Sequence, residues 1–184
     1  VWSTVVYFPV AHWVFAFGNK VGDTVTGAGF LAGKGLEDFA GGTAVHINAG
    51  AAGLALAIIL GKRVGWRKES MRPHSLPLVL LGSGLLWFGW FGFNAASTFA
   101  ATDVQFAVAA TNTAIAGAFG SIAAMLYITR KTGKPDPGMM VNGMLAGLVA
   151  ITAPCAFVDP WAAAVIGTLA AVLIIEAVYF FERR

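Results

Sequence analysis

Long runs of apolar residues alternate with short polar loops along the whole chain, and most runs are about as long as a membrane helix. A helix that crosses a bilayer needs about 20 mostly apolar residues. The fifth run is short because it stops at Pro154, where a helix cannot easily continue. The pattern predicts five or six membrane-spanning helices, at about residues 1–18, 38–61, 76–100, 106–128, 139–153 and 161–181.

The composition supports the same interpretation. Of the 184 residues 58% are hydrophobic and only 11% are charged, whereas a soluble domain carries roughly 25% charge. The 23 glycines suit helices that pack closely in lipid. We therefore predict an all-α, polytopic transmembrane helical bundle that forms a single membrane domain over residues 1–184. The chain opens inside an apolar run without an initiator methionine, so we expect an internal fragment of a longer protein.

The charged residues orient this bundle. Ten of the twelve lysines and arginines fall in the segments after the second, fourth and sixth runs. The positive-inside rule makes that side cytoplasmic. The glycine-rich loop 19–37 is then external, and its glycines are interpreted as flexible turn residues. The second helix runs from outside inward, and the expected location is the cell membrane, with a multi-pass topology.

His46 lies within the second apolar run, eight residues after Asp38. An ionisable group inside a membrane span is costly and is a functional candidate by default. Imidazole can both donate and accept hydrogen bonds and titrates near neutrality, which suits a pore for small polar solutes. The alternative is a core histidine bonded to a neighbouring helix. Asp38 is interpreted either as a helix cap or as an attractor for cations, and both roles can hold together.

The third run contains the aromatic segment LLWFGWFGFNAAS. Trp90 and Phe93 are three residues apart and share a helix face, which Ser97 extends with a hydroxyl. Aromatic faces can bind a cation, although such runs more often serve packing. Asn142 and Thr152 are polar residues in the fifth run, where hydrogen bonding between helices is the commoner role. No nucleophile–base pair, metal-spaced Cys/His cluster, phosphate loop or nucleic-acid module is visible, so we expect neither an enzyme nor a cofactor, metal or nucleic-acid site.

Three segments closely resemble the patterned segments of the ammonium transporter family (Amt, with Mep and Rh relatives), and they occur in the same order. They are DFAGGTAVHINAGAAGL, LLWFGWFGFNAAS and NGMLAGLVAITAPCAFVDPWAAAVIG. AHWVFAFG is similar to the preceding family helix. The resemblance implies that the chain supplies the fourth to ninth of eleven helices in a homotrimer with one pore per subunit. It also implies transport of ammonium or ammonia across the lipid bilayer.

The resemblance implies a role for each matching position. His46 matches the first histidine of a twin-histidine pore, and Asp38 matches the aspartate that supports the external ammonium site. Phe93 matches a phenylalanine of the gate. Trp90 matches a lumen aromatic, and Ser97 matches a hydroxyl at the recruitment site. Asn142 and Thr152 match two polar positions that line or border the pore.

The chain departs from the family pattern in two places. The second pore histidine of the family lies in the helix after FFERR, beyond this sequence. The family usually has Trp-Gly-Gly-Gly after its HWV stretch, whereas here NKVGDTVTGAG follows and Phe15 stands in the position of that tryptophan. An ammonium sensor with a signalling module is the alternative function, and an Rh-type gas channel is a third. A PII-type regulatory protein is a further partner that the resemblance implies.

Overall fold

The structure of the chain, a computed structural model, describes residues 1–21, 24–69 and 72–182. The fold is an all-α helical bundle, as predicted, with one short hairpin in the loop after the first helix. Two compact units follow one another along the chain, Val1–Lys62 and Arg63–Arg184. They are described in turn.

The first unit contains two helices, and each begins with π-helical turns. Ser3–Tyr7 is π-helical and continues into α1, Phe8–Phe15. Gly42–Ile47 is also π-helical and continues into α2, Asn48–Leu60. Between them lie the antiparallel strands β1 (Asn19–Val21) and β2 (Thr24–Thr26), and a 3₁₀ turn, Ala32–Lys34.

The second unit contains four α-helices within the residues described. They are α3 (Leu76–Asn94), α4 (Val104–Thr132), α5 (Pro137–Ile151) and α6 (Pro160–Glu182). A 3₁₀ turn, Ala95–Thr98, extends α3. Ser75, Asp103 and Asp136 accept backbone N–H bonds at the first turns of α3, α4 and α5, the positions where a helix has unpaired donors.

Small residues allow α4, α5 and α6 to pack closely. A Cβ atom added to Gly147 of α5 would lie 2.3 Å from the carbonyl oxygen of Ala116 in α4, and the same holds for Gly167 of α6. Glycine is therefore required where these backbones meet. The contact between α4 and α6 also contains Ala124 and Ile128 of α4 packed against Ala171 and Ile175 of α6.

Four helices in the described residues are long and apolar enough to cross a membrane, and two apolar helices are shorter. The long ones are Gly42–Leu60, Leu76–Thr98, Val104–Thr132 and Pro160–Glu182, and the short ones are Ser3–Phe15 and Pro137–Ile151. Each corresponds to one predicted run. α5 stops at Ile151, before Pro154, as predicted for the fifth run. The physical reason for the prediction is that proline has no backbone N–H to continue a helix.

Backbone contacts order the loop after α1 more than its glycine content suggested. Gly29 donates its N–H to the carbonyl oxygen of Ala16 at 2.7 Å, and Leu31 donates to that of Trp13 at 2.9 Å. A Cβ atom on Gly29 would lie 2.1 Å from the carbonyl oxygen of His12. This glycine is therefore a packing residue at the end of α1 rather than a flexible turn residue.

Candidate functional site

Asp38 closes the open end of the helix that carries His46. Its carboxylate accepts four backbone N–H groups, at 2.9 Å from Gly41 and 2.7 Å from Gly42 on Oδ1, and at 2.7 Å from Thr43 and 3.2 Å from Ala44 on Oδ2. The side chain is only 7% exposed. Each carboxylate oxygen has about two acceptor sites, so this capping occupies all of them. The carboxylate of Asp38 is therefore engaged in capping the helix start.

The backbone at this helix start is unusual. Gly41 has φ 104°, a left-handed conformation that side chains rarely adopt, and it turns the chain from Asp38 into the helix. The carbonyl oxygen of Gly41 then accepts N–H groups from both Val45 (2.8 Å) and His46 (3.2 Å). The second bond spans five residues and makes the turn π-helical. Such turns are rare and occur frequently at functional sites.

The position of His46 along its helix differs from the prediction. The second apolar run was predicted to begin at Asp38, which put His46 eight residues into the helix. The helix begins at Gly42, since Asp38 lies before it as the cap, so His46 is four residues from the start. Its side chain is half-buried, and its ring therefore lies in the first turns of the membrane-length helix.

The aromatic segment of α3 brings three predicted site residues together in the second unit. The rings of Trp90 and Phe93 lie 5.9 Å apart at an angle of 55°. The indole Nε1 of Trp90 donates to the hydroxyl oxygen of Thr152 at 3.2 Å. Thr152 is fully buried and donates its own proton to the carbonyl oxygen of Leu148 at 2.7 Å. It therefore orients the indole and is occupied by these two bonds.

Ser97 lies one turn beyond Phe93, where α3 tightens into the 3₁₀ turn. Its hydroxyl donates to the carbonyl oxygen of Phe93 at 2.7 Å. The proton of the hydroxyl is therefore used, while its oxygen retains the capacity to accept a further hydrogen bond. An N–H or O–H donor is the chemical class that this oxygen suits.

Asn142 lies apart from this cluster. Its amide nitrogen is 3.8 Å from the sulfur of Met139, and its side chain lines an apolar groove between α5 and α6 with a volume of about 520 Å³. The other lining residues are alanine, leucine, isoleucine and valine. The structure thus does not bring Asn142 into contact with Trp90, Phe93 or Thr152.

The sequence did not single out three buried polar residues, which are Asn112 and Thr113 of α4 and Asn94 of α3. Asn94 donates to the hydroxyl of Thr113 at 3.0 Å, and Asn112 donates to two backbone carbonyls after α5. All three side chains are fully buried. The signal that could have found them is the adjacent Asn-Thr pair in the middle of an otherwise apolar run. Across residues 1–21, 24–69 and 72–182, no group of three His, Cys, Asp or Glu side chains is placed to hold a metal ion.

Comparison with known proteins gives a consistent result along the whole chain. The model of the Ammonium Transporter Family matches residues 1–184. An ammonium transporter of Mycobacterium tuberculosis is 50% identical over 178 residues, which are 96% of this chain and 36% of that protein. Ammonium transporter Amt1 of Archaeoglobus fulgidus is 46% identical over 180 residues, which are 97% of this chain and 42% of that protein.

Solved structures agree with these sequence relatives. Mep2 of Candida albicans matches with a TM-score of 0.81 and 36% identity, over 93% of this chain and 36% of that chain. A structure described as a sensor Amt protein matches with a TM-score of 0.85 and 34% identity, over 97% of this chain and 44% of that chain. The chain thus spans less than half the length of these relatives.

Proposed function

Because the chain belongs to the ammonium transporter family, we propose that the full-length protein moves ammonium nitrogen across the membrane through a pore beside His46. The observation that supports this most directly is the imidazole placed just inside the Asp38-capped start of a membrane-length helix. A titratable ring at that position is costly unless it faces a polar conduit or a partner.

The proposed mechanism separates the proton from the nitrogen before the membrane is crossed. A bare cation is very costly in an apolar medium, whereas neutral ammonia is far less so. Ammonium would bind outside by donating to the oxygen of Ser97 against an aromatic face. Ammonium would transfer its proton to water on the external side, and the neutral ammonia would pass the ring of Phe93 and cross beside His46. The imidazole offers both a donor and an acceptor to a small solute.

The remaining residues have supporting roles in this proposal. The charge of Asp38 favours a cation near the external end while its oxygens cap the helix. Trp90 provides an aromatic wall, and Thr152 sets the orientation of that wall through the indole hydrogen bond. Asn142 borders the pore in this proposal rather than joining the cluster around Trp90. We also propose a homotrimer in the cell membrane and a PII-type protein as a regulatory partner.

The experiment that tests the proposal uses His46→Ala in the full-length protein. We expect saturable ammonium or methylammonium flux into proteoliposomes to be abolished, or discrimination against potassium to be lost. His12→Ala is the matched control, because His12 is an exposed histidine of α1 outside the proposed pore set. Unchanged saturable flux together with unchanged potassium discrimination in His46→Ala would refute the role assigned to the imidazole.

A second candidate function is ammonium sensing. The structure described as a sensor Amt protein supports it, with a TM-score of 0.85 over 97% of this chain. The discriminating observation is the coding sequence that follows Arg184. A kinase-like or cyclase-like domain there favours sensing, and a membrane domain that ends in a short tail favours transport alone.

A further inference from the structure

Residues 152–159 connect α5 to α6 through turns rather than a regular helix, and this segment is named here the α5–α6 turn. The last four carbonyls of a helix have no partners within that helix, and non-helical carbonyls face the same problem. Thr152 and Cys155 in this turn are fully buried, so water cannot supply donors freely. Unpaired buried carbonyls would be unfavourable, so donors from the protein stabilise this turn.

Asn112 of α4 supplies two of these donors. Its amide nitrogen donates to the carbonyl oxygen of Cys155 at 2.8 Å and to that of Val158 at 2.7 Å. The orientation of the amide follows from chemistry, since a flipped amide would set its oxygen against two carbonyl oxygens. Asn112 is itself fully buried.

The same turn begins at Thr152, which holds the indole of Trp90. The hydroxyl of Thr152 accepts from Nε1 of Trp90 while it donates its own proton to the carbonyl oxygen of Leu148. That geometry depends on where the backbone leaves α5, and Asn112 fixes the segment that follows. The contacts therefore run from Asn112 through the α5–α6 turn to Thr152 and then to Trp90.

We propose that Asn112 is a positioning residue for Trp90: it fixes the α5–α6 turn so that Thr152 holds the indole in one orientation. The position of the indole does not depend on what the protein transports. The consequence for transport rests on the proposed function, in which Trp90 forms an aromatic wall of the pore.

The test compares Asn112→Leu, which removes both donors, with Thr152→Val in the full-length protein. Emission from Trp90 is isolated as the difference between each protein and the same protein carrying Trp90→Phe. We expect both variants to change this difference spectrum in the same direction. Thr111→Val, an exposed neighbour on α4, is the matched control and should leave it unchanged. An unchanged Trp90 spectrum in Asn112→Leu, or in Thr152→Val, would overturn the proposal.

Asn112→Asp provides the same test if Asn112→Leu does not fold. A protonated carboxyl has the shape of the amide but keeps one donor, so we expect a smaller change in the same direction. If the spectrum of Trp90 is unchanged in this folded variant while it changes in Thr152→Val, Asn112 does not position the indole.

Uptake kinetics then separate this inference from the proposed function. Loss of such a hydrogen bond predicts about threefold to tenfold less methylammonium uptake at low substrate concentration. The double variant Asn112→Asp/Thr152→Val should lose no more than the stronger single variant, because both act on one indole. If the double variant loses uptake by the product of the two single factors, the proposed coupling of Asn112 to Trp90 through Thr152 is overturned. A shifted Trp90 spectrum with unchanged uptake supports the positioning role and instead rejects Trp90 as a pore residue.

Discussion

The backbone N–H of Thr43 donates to the carboxylate of Asp38 at 2.7 Å, five residues along the chain. This bond and three like it place a negative charge at the N-terminus of the helix that carries His46. The helix dipole and the unpaired N–H groups both favour an anion there. The charge that would attract a cation is therefore the same charge that forms the helix start.

Substitution of Asp38 separates these two effects. Asparagine retains one acceptor oxygen but no charge, and its NH2 group would face the two backbone N–H groups that the second carboxylate oxygen now accepts, whereas alanine retains no acceptor. We expect Asp38→Ala to lower the free energy of unfolding by about 2 kcal/mol, at the upper end for lost caps. Asp38→Asn should lose less stability than Asp38→Ala but should still reduce ammonium uptake. Thermal unfolding in detergent and uptake into proteoliposomes measure the two effects.

Glu37→Gln is the control for the Asp38 variants, because Glu37 is the exposed neighbouring carboxylate and is not part of the cap. Glu37→Gln should change neither the thermal stability nor the ammonium uptake measurably. If Asp38→Asn transports as well as the unsubstituted protein, Asp38 is a structural cap alone and its charge has no role in recruiting the cation.

Much of the fold could be predicted because membrane helices are specified by local composition. Each apolar run became one helix, and the resemblance to the ammonium transporter family is confirmed. The boundaries were less accurate where side chains satisfy the backbone. The second run was predicted to begin at Asp38, but the helix begins at Gly42 because the aspartate folds back as its cap.

The candidate site was only partly predictable, because contacts between distant segments are invisible in a single sequence. Trp90 and Phe93 were expected on one face of a helix, and they are in contact. The bond from Trp90 to Thr152 joins residues 62 positions apart, and those from Asn112 reach 43 and 46 positions along the chain. No periodicity within one helix encodes such pairs. The pore roles assigned to the seven candidate residues stay predictions.

Phe93 is expected to govern what passes the aromatic cluster. Its ring contacts Trp90 and is partly exposed, so its removal would widen the passage without opening a cavity in the buried core. Phe93→Ala should therefore lose discrimination between ammonium and potassium, measured as potassium flux from loaded proteoliposomes. Phe88→Ala is the control, since Phe88 is a more exposed phenylalanine of the same helix. Equal potassium flux in the two variants would contradict the gate.

Gly147 is expected to be essential for the contact between α4 and α5. An alanine Cβ there would lie 2.3 Å from the carbonyl oxygen of Ala116, which is backbone and cannot move aside cheaply. Overpacking of this kind typically costs about 1–3 kcal/mol, although alanine is otherwise the better helix former. Thermal unfolding of Gly147→Ala in detergent should show this loss. Gly89→Ala in α3 should not lose stability, because nothing lies within 4 Å of the added Cβ. Equal stability of the Gly147→Ala and Gly89→Ala variants would contradict the close approach of Gly147 to Ala116.

Lys131 and Glu176 join the C-terminal parts of α4 and α6. The two side chains form an ion pair, and the hydroxyl of Tyr127 also donates to Glu176 at 2.5 Å. The Lys131 ammonium lies 4.5 Å from the ring centroid of Tyr179, which adds a cation–π contact. The pair is partly exposed, with side-chain accessibilities of 29% and 49%, so screening by solvent keeps its contribution small.

A double-mutant cycle measures the coupling between these two residues. We expect Lys131→Met and Glu176→Gln each to destabilise the protein, with a coupling free energy of about 1 kcal/mol or less that falls as salt is added. The charge reversal Lys131→Glu/Glu176→Lys should recover part of the loss, since the ion pair is restored while the contact of Lys131 with Tyr179 is not. Lys134→Met, in the following loop, is the control for the lost positive charge. An ion pair that stabilises the bundle makes the losses of unfolding free energy in the two single variants non-additive in the double variant. If these losses simply add, at low salt as well as at high salt, the pair contributes nothing to the packing of α4 against α6.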